Sequence, residues 1–409
     1  MNTKISTAQE PDAAKPIEKI IETPVFLQLA FRPLFFLGAV FSCVSLGVWA
    51  LFLNGHFQLP TYTTPFLWHG HEMLFGFVAA IVVGFLLTAV QNWTGIKGLN
   101  GKPLLLLITV WFAARVSFLI DVTTIPLQWI DLLFIPLSAY FLARPIIAIK
   151  QTRNLMFVPV LTLMFLSNLG FHYGIYSNDL ALSQQALQAM LWLTVLLITL
   201  LGGRVIPFFT ANGTQKPRAS DQLWLDISVI ASTAMVVVVQ GFGLSNMFSP
   251  SLNAALLLTA AILQGTRFCR WKFWNTSKVA LLWSLHGAYA FVPLGMALLA
   301  ASYTIDNLSY STAQHAILTG AIGAMILSMM ARVSLGHSGR PLKPKKIMSV
   351  AFSLILATGL IRSLGVWLGI ESSLIMLTLA AAGWILAYGI FAWVYWPVLS
   401  KPRIDGKPG

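Results

Sequence analysis

Histidines are the residues of this 409-residue chain whose type and placement suggest chemistry, because a chain with only 10% charged residues contains seven of them. Neutral imidazole binds iron, copper and zinc, so histidines that share a depth in an apolar chain indicate a metal or haem site. A single histidine is more often satisfied by hydrogen bonds near an interface, and that interpretation stays open for each one. The candidate metal ligands are His69, His71, His172, His286, His315 and His337.

Four of these histidines fall at the same end of the predicted helices, the end that the charge pattern below assigns to the periplasm: His69, His71, His172 and His315. His286 and His337 lie toward the opposite end and form a second, looser group. In a regular helix that starts at Trp68, His69 and His71 are about 200° apart around the axis. They therefore face different partners, and both bind metal only if they serve different sites or if the helix start is unwound.

Glu72 is a candidate catalytic residue because it lies inside an apolar run. A carboxylate at that depth usually forms an ion pair or takes part in proton movement, and both interpretations stay open. In a regular helix it shares a face with His69 and with a stripe of small residues that lets another helix or a flat ligand approach closely. The stripe consists of Gly76, Ala80 and Gly84.

Arg115 and Arg362 are similarly placed, each in the helix that follows a histidine-bearing helix. This order fits one haem that is held by His71 and His315, with its propionates held by the two guanidinium groups. Arginines that reach periplasmic lipid headgroups are the alternative. The chain has no Cys-x-x-Cys-His segment, so the expected haem is b-type and non-covalent.

Apolar runs long enough to cross a bilayer must position these residues. The mean hydropathy is +0.77, and a bilayer core needs about 20 apolar residues per helix. The sequence predicts an all-α protein with one membrane domain at 31–398, a polar tail at 1–30 and a basic tail at 399–409. About twelve spans are expected, at 34–53, 68–90, 103–121, 129–149, 155–176, 184–203, 223–242, 250–268, 278–301, 312–334, 347–369 and 372–397.

The distribution of charge predicts that both termini are cytoplasmic. All of the 26 Lys and Arg residues except Arg115 and Arg362 fall on one side of the predicted spans, where short cytoplasmic loops collect basic residues. The opposite loops carry only acidic charges, at Asp121, Asp179, Asp306 and Glu371. This topology and anionic lipid headgroups account for the net charge of +13, so no nucleic-acid partner is expected.

A weak internal repeat relates the even-numbered helices at their cytoplasmic ends and suggests three units of four helices. The matching segments, Val90 to Pro103, Val205 to Pro217 and Val333 to Pro341, are short enough for chance to produce them. The arginines there either cap helix ends and hold lipid phosphates, or contribute to a site for an anion or a quinone head group.

Several segments together resemble the NnrS family of bacterial membrane proteins, and the resemblance covers essentially the whole chain. The segments are Phe31-Arg32-Pro33, Trp68 to Phe77, Thr88 to Gly95, Gly203 to Pro207 with Phe209-Thr210, and Arg332 to Pro341. The resemblance implies a haem- and copper-containing protein of the inner membrane, linked to nitric oxide and nitrosative stress in denitrifying or nitric oxide-exposed bacteria. The helix layout is also similar to the catalytic subunit of haem-copper oxidases, although their paired-histidine copper motif is missing.

The sequence leaves three functions open. The first is a haem protein that binds or metabolises nitric oxide, an oxidoreductase if it turns over, with a quinol or a redox protein as electron donor. The second is a transporter of metal, haem or a metal-nitrosyl species, in which the histidines and Glu72 bind the cargo. The third is a membrane sensor or assembly factor. Self-contained ATP-driven transport is excluded because the chain has no phosphate-binding loop.

Overall fold

The computed structural model describes residues 23–59, 63–118, 129–306, 308–365 and 373–406, and this part of the chain is helical without a strand. Eleven of its helices are long and apolar enough to cross a membrane. They are α1 Phe31–Leu53, α2 Pro65–Thr94, α4 Asp131–Ala148, α5 Thr152–Tyr176, α6 Leu180–Thr214, α7 Leu223–Gly241, α8 Pro250–Arg270, α9 Ala280–Ala301, α10 Tyr310–His337, α11 Ile347–Leu364 and α12 Ser373–Ser400. Helix α3, Gly101–Ser117, is shorter.

Each predicted span therefore corresponds to a helix, and the all-α fold is confirmed. Of the twelve spans, the structure confirms eleven as long enough to cross. The third, predicted at 103–121, corresponds to α3, and its predicted end lies outside the described residues, as does most of the predicted tail at 1–30. The cytoplasmic location of both termini stays a prediction, since no membrane is present in the structure.

The helices close into a ring in which α1 packs against α12 and most neighbours along the chain pack against each other. Three helices, α2, α6 and α10, also contact one another inside the ring. Each is the second helix of one predicted four-helix unit. Their interior position explains why α2 and α10 are the most deeply buried of the eleven spans.

Two of the inner helices contain a π-helical segment directly after a candidate histidine. Glu72–Val78 follows His71 in α2, and Ala316–Gly323 follows His315 in α10. A π-helix widens the turn and often marks a functional site. The two segments occupy similar positions in α2 and α10, and the predicted four-helix repeat stays a prediction. In the second unit the described π segment instead ends α7, at Val237–Gly241.

Candidate functional site

A buried polar cluster lies between α2, α3, α4 and α5. Its ionisable members are His71, Glu72, Arg115, Asp131 and His172, and each is at most 3% exposed. Asp131 is the first residue of α4, whereas Arg115 is near the end of α3. Four helices therefore deliver charged or polar side chains to one point in an otherwise apolar bundle, where an uncompensated charge is costly.

Arg115 joins the two carboxylates of the cluster. Its Nη1 donates to Glu72 Oε1 and its Nη2 donates to Asp131 Oδ1. Gly76, one turn after Glu72, makes room for the guanidinium, because a Cβ atom there would lie 2.8 Å from Arg115 Nη1. The small-residue face of α2 is thus interior at Gly76, where an arginine from the neighbouring helix fills the space beside it. The prediction that Glu72 shares this face with His69 is wrong, because Glu72 joins His71.

The hydrogen bonds of His71 leave an acceptor-rich point beside its Nε2 atom. Nδ1 lies 3.0 Å from Glu72 Oε1, whereas Nε2 lies 3.0 Å from Asn168 Oδ1 and 3.2 Å from Asp131 Oδ2. Asn168 donates its amide nitrogen to Asp131, which fixes its oxygen toward His71. With Nδ1 donating to Glu72, a neutral imidazole would direct its lone pair at two oxygen acceptors. A proton on Nε2, or a metal ion at this point, would satisfy these oxygen acceptors.

The charge count of the cluster leads to the same conclusion. Glu72 and Asp131 contribute two negative charges and Arg115 one positive charge, so neutral histidines leave one negative charge uncompensated. Burial of an unpaired charge is expensive in a low-dielectric interior. One further positive charge, from an imidazolium or a bound metal ion, makes the site neutral.

Three side chains of the cluster lie close enough together to hold a metal ion. One ligand atom each from His71, Asp131 and His172 can be chosen so that all lie within 4.8 Å of one another. His172 Nε2 is 3.4 Å from Asp131 Oδ2. The rings of Phe118 and Phe171 lie against His71, with centroids 4.5 and 4.4 Å away, and form an apolar wall.

A second group forms around His69, which faces away from the cluster. The His69 ring stacks on Trp49 at a centroid distance of 4.6 Å and an interplanar angle of 11°. Its Nδ1 atom is buried and has no hydrogen-bond partner in the described part of the chain. His69, His315 and Arg362 are close enough for their charges to interact. The sequence prediction that His69 and His71 face different partners is confirmed.

His315 is oriented by its own helix. Its Nδ1 lies 2.6 Å from the carbonyl oxygen of Ser311, which fixes the proton on Nδ1 and leaves the lone pair on Nε2. Metal-binding histidines commonly have this arrangement. Arg362 has no carboxylate partner among the described residues, in contrast to Arg115.

The structure does not bring His71 into contact with His315, the pair predicted to hold one haem. His71 uses both ring nitrogens within its own cluster, and Arg115 binds protein carboxylates there. His315 is grouped with His69 and Arg362 instead. The arrangement predicted for one haem is thus divided between two groups, because side chains two residues apart on α2 face different neighbouring helices.

The remaining histidines lie apart from both groups. His286 Nε2 is 2.9 Å from Thr210 Oγ1, next to the rings of Phe268 and Trp271. His337 lies against Phe31, with ring centroids 5.7 Å apart. The two histidines at this end of the helices, predicted as a looser group, have different neighbours.

Asp131 and Asn168 are site residues that the sequence reasoning missed. Asp131 resembles an ordinary acidic residue at the start of a helix. Its helix, α4, begins at the same end of the bundle at which His71 and His172 lie. Asn168 precedes His172 by one helical turn and shares its face. Both signals were present in the sequence, although only the packing of α4 beside α2 and α5 makes them significant.

These features define a multi-pass, all-helical membrane protein with a buried histidine-carboxylate-arginine centre. The NnrS family model, described as NnrS protein, matches residues 25–403, and the chain belongs to the NnrS family. Membership over nearly the whole chain fits a membrane protein of the nitric oxide response. No curated protein matches the chain.

Proposed function

We propose that this chain is a membrane metalloprotein that holds haem and copper, binds or metabolises nitric oxide at its periplasmic side, and so protects the cell against nitrosative stress. The observation that carries the proposal is the convergence of His71, Asp131 and His172 on one buried point, in a cluster whose two carboxylates share the single cation of Arg115. Redox chemistry is the expected reaction type, with a quinol or a redox protein as electron donor.

The His71, Asp131 and His172 side chains fit copper. Two imidazole nitrogens and one carboxylate oxygen are suitable donors for Cu(II). Glu72 accepts the Nδ1 proton of His71, as carboxylates behind metal-binding histidines commonly do. A bound copper ion would supply one-electron chemistry. The chain itself holds the ligands in position through Arg115 and surrounds His71 with apolar rings.

The second group supports a haem site in a revised form. His69 and His315 each offer a ring nitrogen without a hydrogen-bond partner in the described residues, and Arg362 offers a cation for a propionate. The predicted partner of His315 is therefore replaced by His69. The two groups are carried by the same helix, since His69 and His71 both lie in α2.

Glu72 is the residue that we propose for proton transfer. Its Oε1 atom accepts from Arg115 and His71, whereas its Oε2 atom is buried without a partner in the described residues. A proton that arrives at Oε2 would be adjacent to the His71 ring. Reduction of nitric oxide consumes protons, so a buried carboxylate with one unoccupied oxygen suits this role.

The decisive experiment measures metals and spectra on purified protein. Wild-type protein from cells supplied with iron and copper is expected to contain both metals and to show a haem absorption spectrum that changes when nitric oxide is added under reducing conditions. His172→Ala and Asp131→Asn should lower copper content at least tenfold, the effect expected for a lost ligand, and leave the haem spectrum in place. His69→Ala and His315→Ala should weaken or remove the haem spectrum and leave the copper content in place.

His56→Ala is the matched control, because His56 is an exposed histidine outside both groups. It should leave copper content and the haem spectrum unchanged. Wild-type protein that binds neither metal under these conditions would contradict the proposal. In that case the missing positive charge at His71 would be a proton, and the cluster would be a buried ion-pair network.

The proposed location is the bacterial inner membrane with both termini in the cytoplasm. Cysteine labelling tests this orientation, since the free cysteines Cys43 and Cys269 can first be replaced by serine. A new cysteine at His56 should react with a membrane-impermeant reagent from the periplasm. One at Lys272 should react only after the membrane is opened.

A further inference from the structure

The candidate ligand histidines differ in what holds each imidazole ring in position. In the first group, Nδ1 of His71 lies 3.0 Å from the Glu72 carboxylate. In the second group, Nδ1 of His315 lies 2.6 Å from the carbonyl oxygen of Ser311. The imidazole of His69 forms no hydrogen bond within the described part of the chain, and its Nδ1 atom is buried. The two candidate haem ligands, His69 and His315, are therefore not equivalent.

The hydrogen-bond partner of His315 is itself fixed. Ser311 lies in the first turn of α10, where the Ser309 hydroxyl oxygen accepts from the backbone nitrogen of Thr312 at 3.1 Å and caps the helix. A backbone carbonyl in a capped turn cannot rotate away as the end of a side chain can. His315 thus keeps its orienting partner whatever is bound to its other nitrogen.

Ring stacking holds His69 instead. Its ring lies nearly parallel to the indole of Trp49, with centroids 4.6 Å apart and an interplanar angle of 11°. Trp49 is 7% exposed and is packed between the rings of Phe52 and Phe66, at centroid distances of 5.5 and 5.3 Å. The stack fixes the plane of the imidazole, and it persists whether or not a ring nitrogen binds metal.

Helix α6 fixes the backbones of α2 and α10 beside these two histidines. A Cβ atom on Gly70, which follows His69, would lie only 2.7 Å from Leu187 Cδ1. The next residue of α6, Gln188, donates to Oε1 of Gln314 at 3.1 Å. Because Gln314 directly precedes the α10 histidine, both helices are held at this level. The difference between the two ligands therefore lies in the side chains and their partners.

An acceptor for the Nδ1 proton makes the opposite nitrogen of an imidazole a stronger metal ligand, and loss of such a partner typically lowers metal affinity about 10- to 100-fold. We infer, on the basis of the haem site proposed above, that His315 is the permanent ligand of the second group and His69 the exchangeable one. Trp49 holds the His69 ring while its nitrogen is free, so the ligand stays close enough to return.

This assignment places nitric oxide on the His69 side of the site. In the exchange, the bond between iron and the His69 nitrogen breaks, and a bond between iron and the nitrogen of nitric oxide forms. No proton is transferred, and no other group is oxidised or reduced. His315 remains bound to the iron throughout.

Optical and electron paramagnetic resonance spectra of the purified, haem-loaded protein test the inference. Wild type, His69→Ala and His315→Ala are compared under reducing conditions, with and without nitric oxide. We expect the spectra of wild type and His69→Ala to coincide once nitric oxide is added, because the iron then has the same two axial ligands in both. His315→Ala should raise the dissociation constant of haem about 10- to 100-fold more than His69→Ala does.

Two further variants keep the test decisive if His315→Ala does not fold. His315→Gly with added imidazole restores a nitrogen ligand and should regain the wild-type spectrum. Trp49→Leu should keep its haem, yet before nitric oxide is added its spectrum should shift toward that of His69→Ala. Trp274→Leu is the matched control, since Trp274 is an exposed tryptophan in the connection between α8 and α9, and it should leave the spectra unchanged.

The outcomes separate this inference from the proposed function. A wild-type spectrum with nitric oxide that matches His315→Ala instead of His69→Ala would overturn the inference and leave the haem site in place. Equal haem affinities of the two histidine variants would do the same. Wild-type protein that binds no haem would contradict the proposed function, and the inference with it.

Discussion

Gly76 and Arg115 approach each other so closely that the glycine has no space for a side chain: a Cβ atom on Gly76 would lie 2.8 Å from Arg115 Nη1. The same atom would be 2.7 Å from the Phe41 ring. Gly76→Ala should therefore displace the guanidinium from Glu72 and Asp131. We expect the free energy of unfolding to fall by about 1–3 kcal/mol, as for other overpacked positions. Thermal unfolding in detergent measures this.

Gly389→Ala is the control for that substitution. A Cβ atom on Gly389, in α12, meets nothing within 4 Å. Because glycine in a helix interior is about 0.5–1 kcal/mol less favourable than alanine, this variant should be as stable as wild type or slightly more so. Equal unfolding temperatures for the Gly76 and Gly389 variants would show that Arg115 does not need the space beside Gly76.

Arg115→Gln should be strongly destabilising, because it leaves Glu72 and Asp131 buried without their shared cation. Loss of one partner of a buried ion pair typically costs about 3–5 kcal/mol. The double variant Arg115→Gln with Glu72→Gln removes one of the two negative charges and should recover part of this loss. A double-mutant cycle of unfolding free energies measures the coupling, and simple additivity of the two effects would contradict the network.

Arg32 closes the ring of helices by joining the first helix to the last. Its Nη1 donates to the carbonyl oxygens of Leu399 and Lys401, each at 2.9 Å. Arg32→Gln should destabilise the protein by about 1.5–3 kcal/mol per charged hydrogen bond lost. It should also make the segment after α12 more sensitive to limited proteolysis.

Arg218→Gln provides the comparison for Arg32, since Arg218 pairs with Asp221 at the surface. An exposed pair of this kind contributes about 0–1 kcal/mol. A proteolysis pattern shared by the two variants would argue against the closing role of Arg32.

Gly359 allows α11 to lie directly on the π segment of α10. A Cβ atom at Gly359 would be 2.7 Å from the Cα atom of Gly320, a backbone atom that cannot rotate away. Gly359→Ala should push α11 from α10, lower stability by about 1–3 kcal/mol and move Arg362 relative to His315. The unfolding temperature and, in haem-loaded protein, the optical spectrum report the two effects. Gly47→Ala, with open space around its Cβ atom, should change neither.

The spans and the candidate histidines were predictable because their signals are local. A run of about 20 apolar residues must form a helix across a bilayer, since backbone groups have no partners in lipid. The spacing of two residues between His69 and His71 was also enough to predict that they face apart. The sequence showed in the same way that Glu72 and Arg115 lie inside apolar runs, where charge needs a partner.

Tertiary structure alone decided which of these residues meet. His71 joins Asp131, Asn168 and His172, whereas His69 is grouped with His315, because contacts between helices depend on their rotation and neighbours and not on depth alone. The π-helical segments of α2 and α10 change that rotation because they widen the helical turn. No periodicity in the apolar runs predicted these segments. The sequence by itself determined how many ligands the bundle could offer at each end, and the packing of the helices determined their grouping into sites.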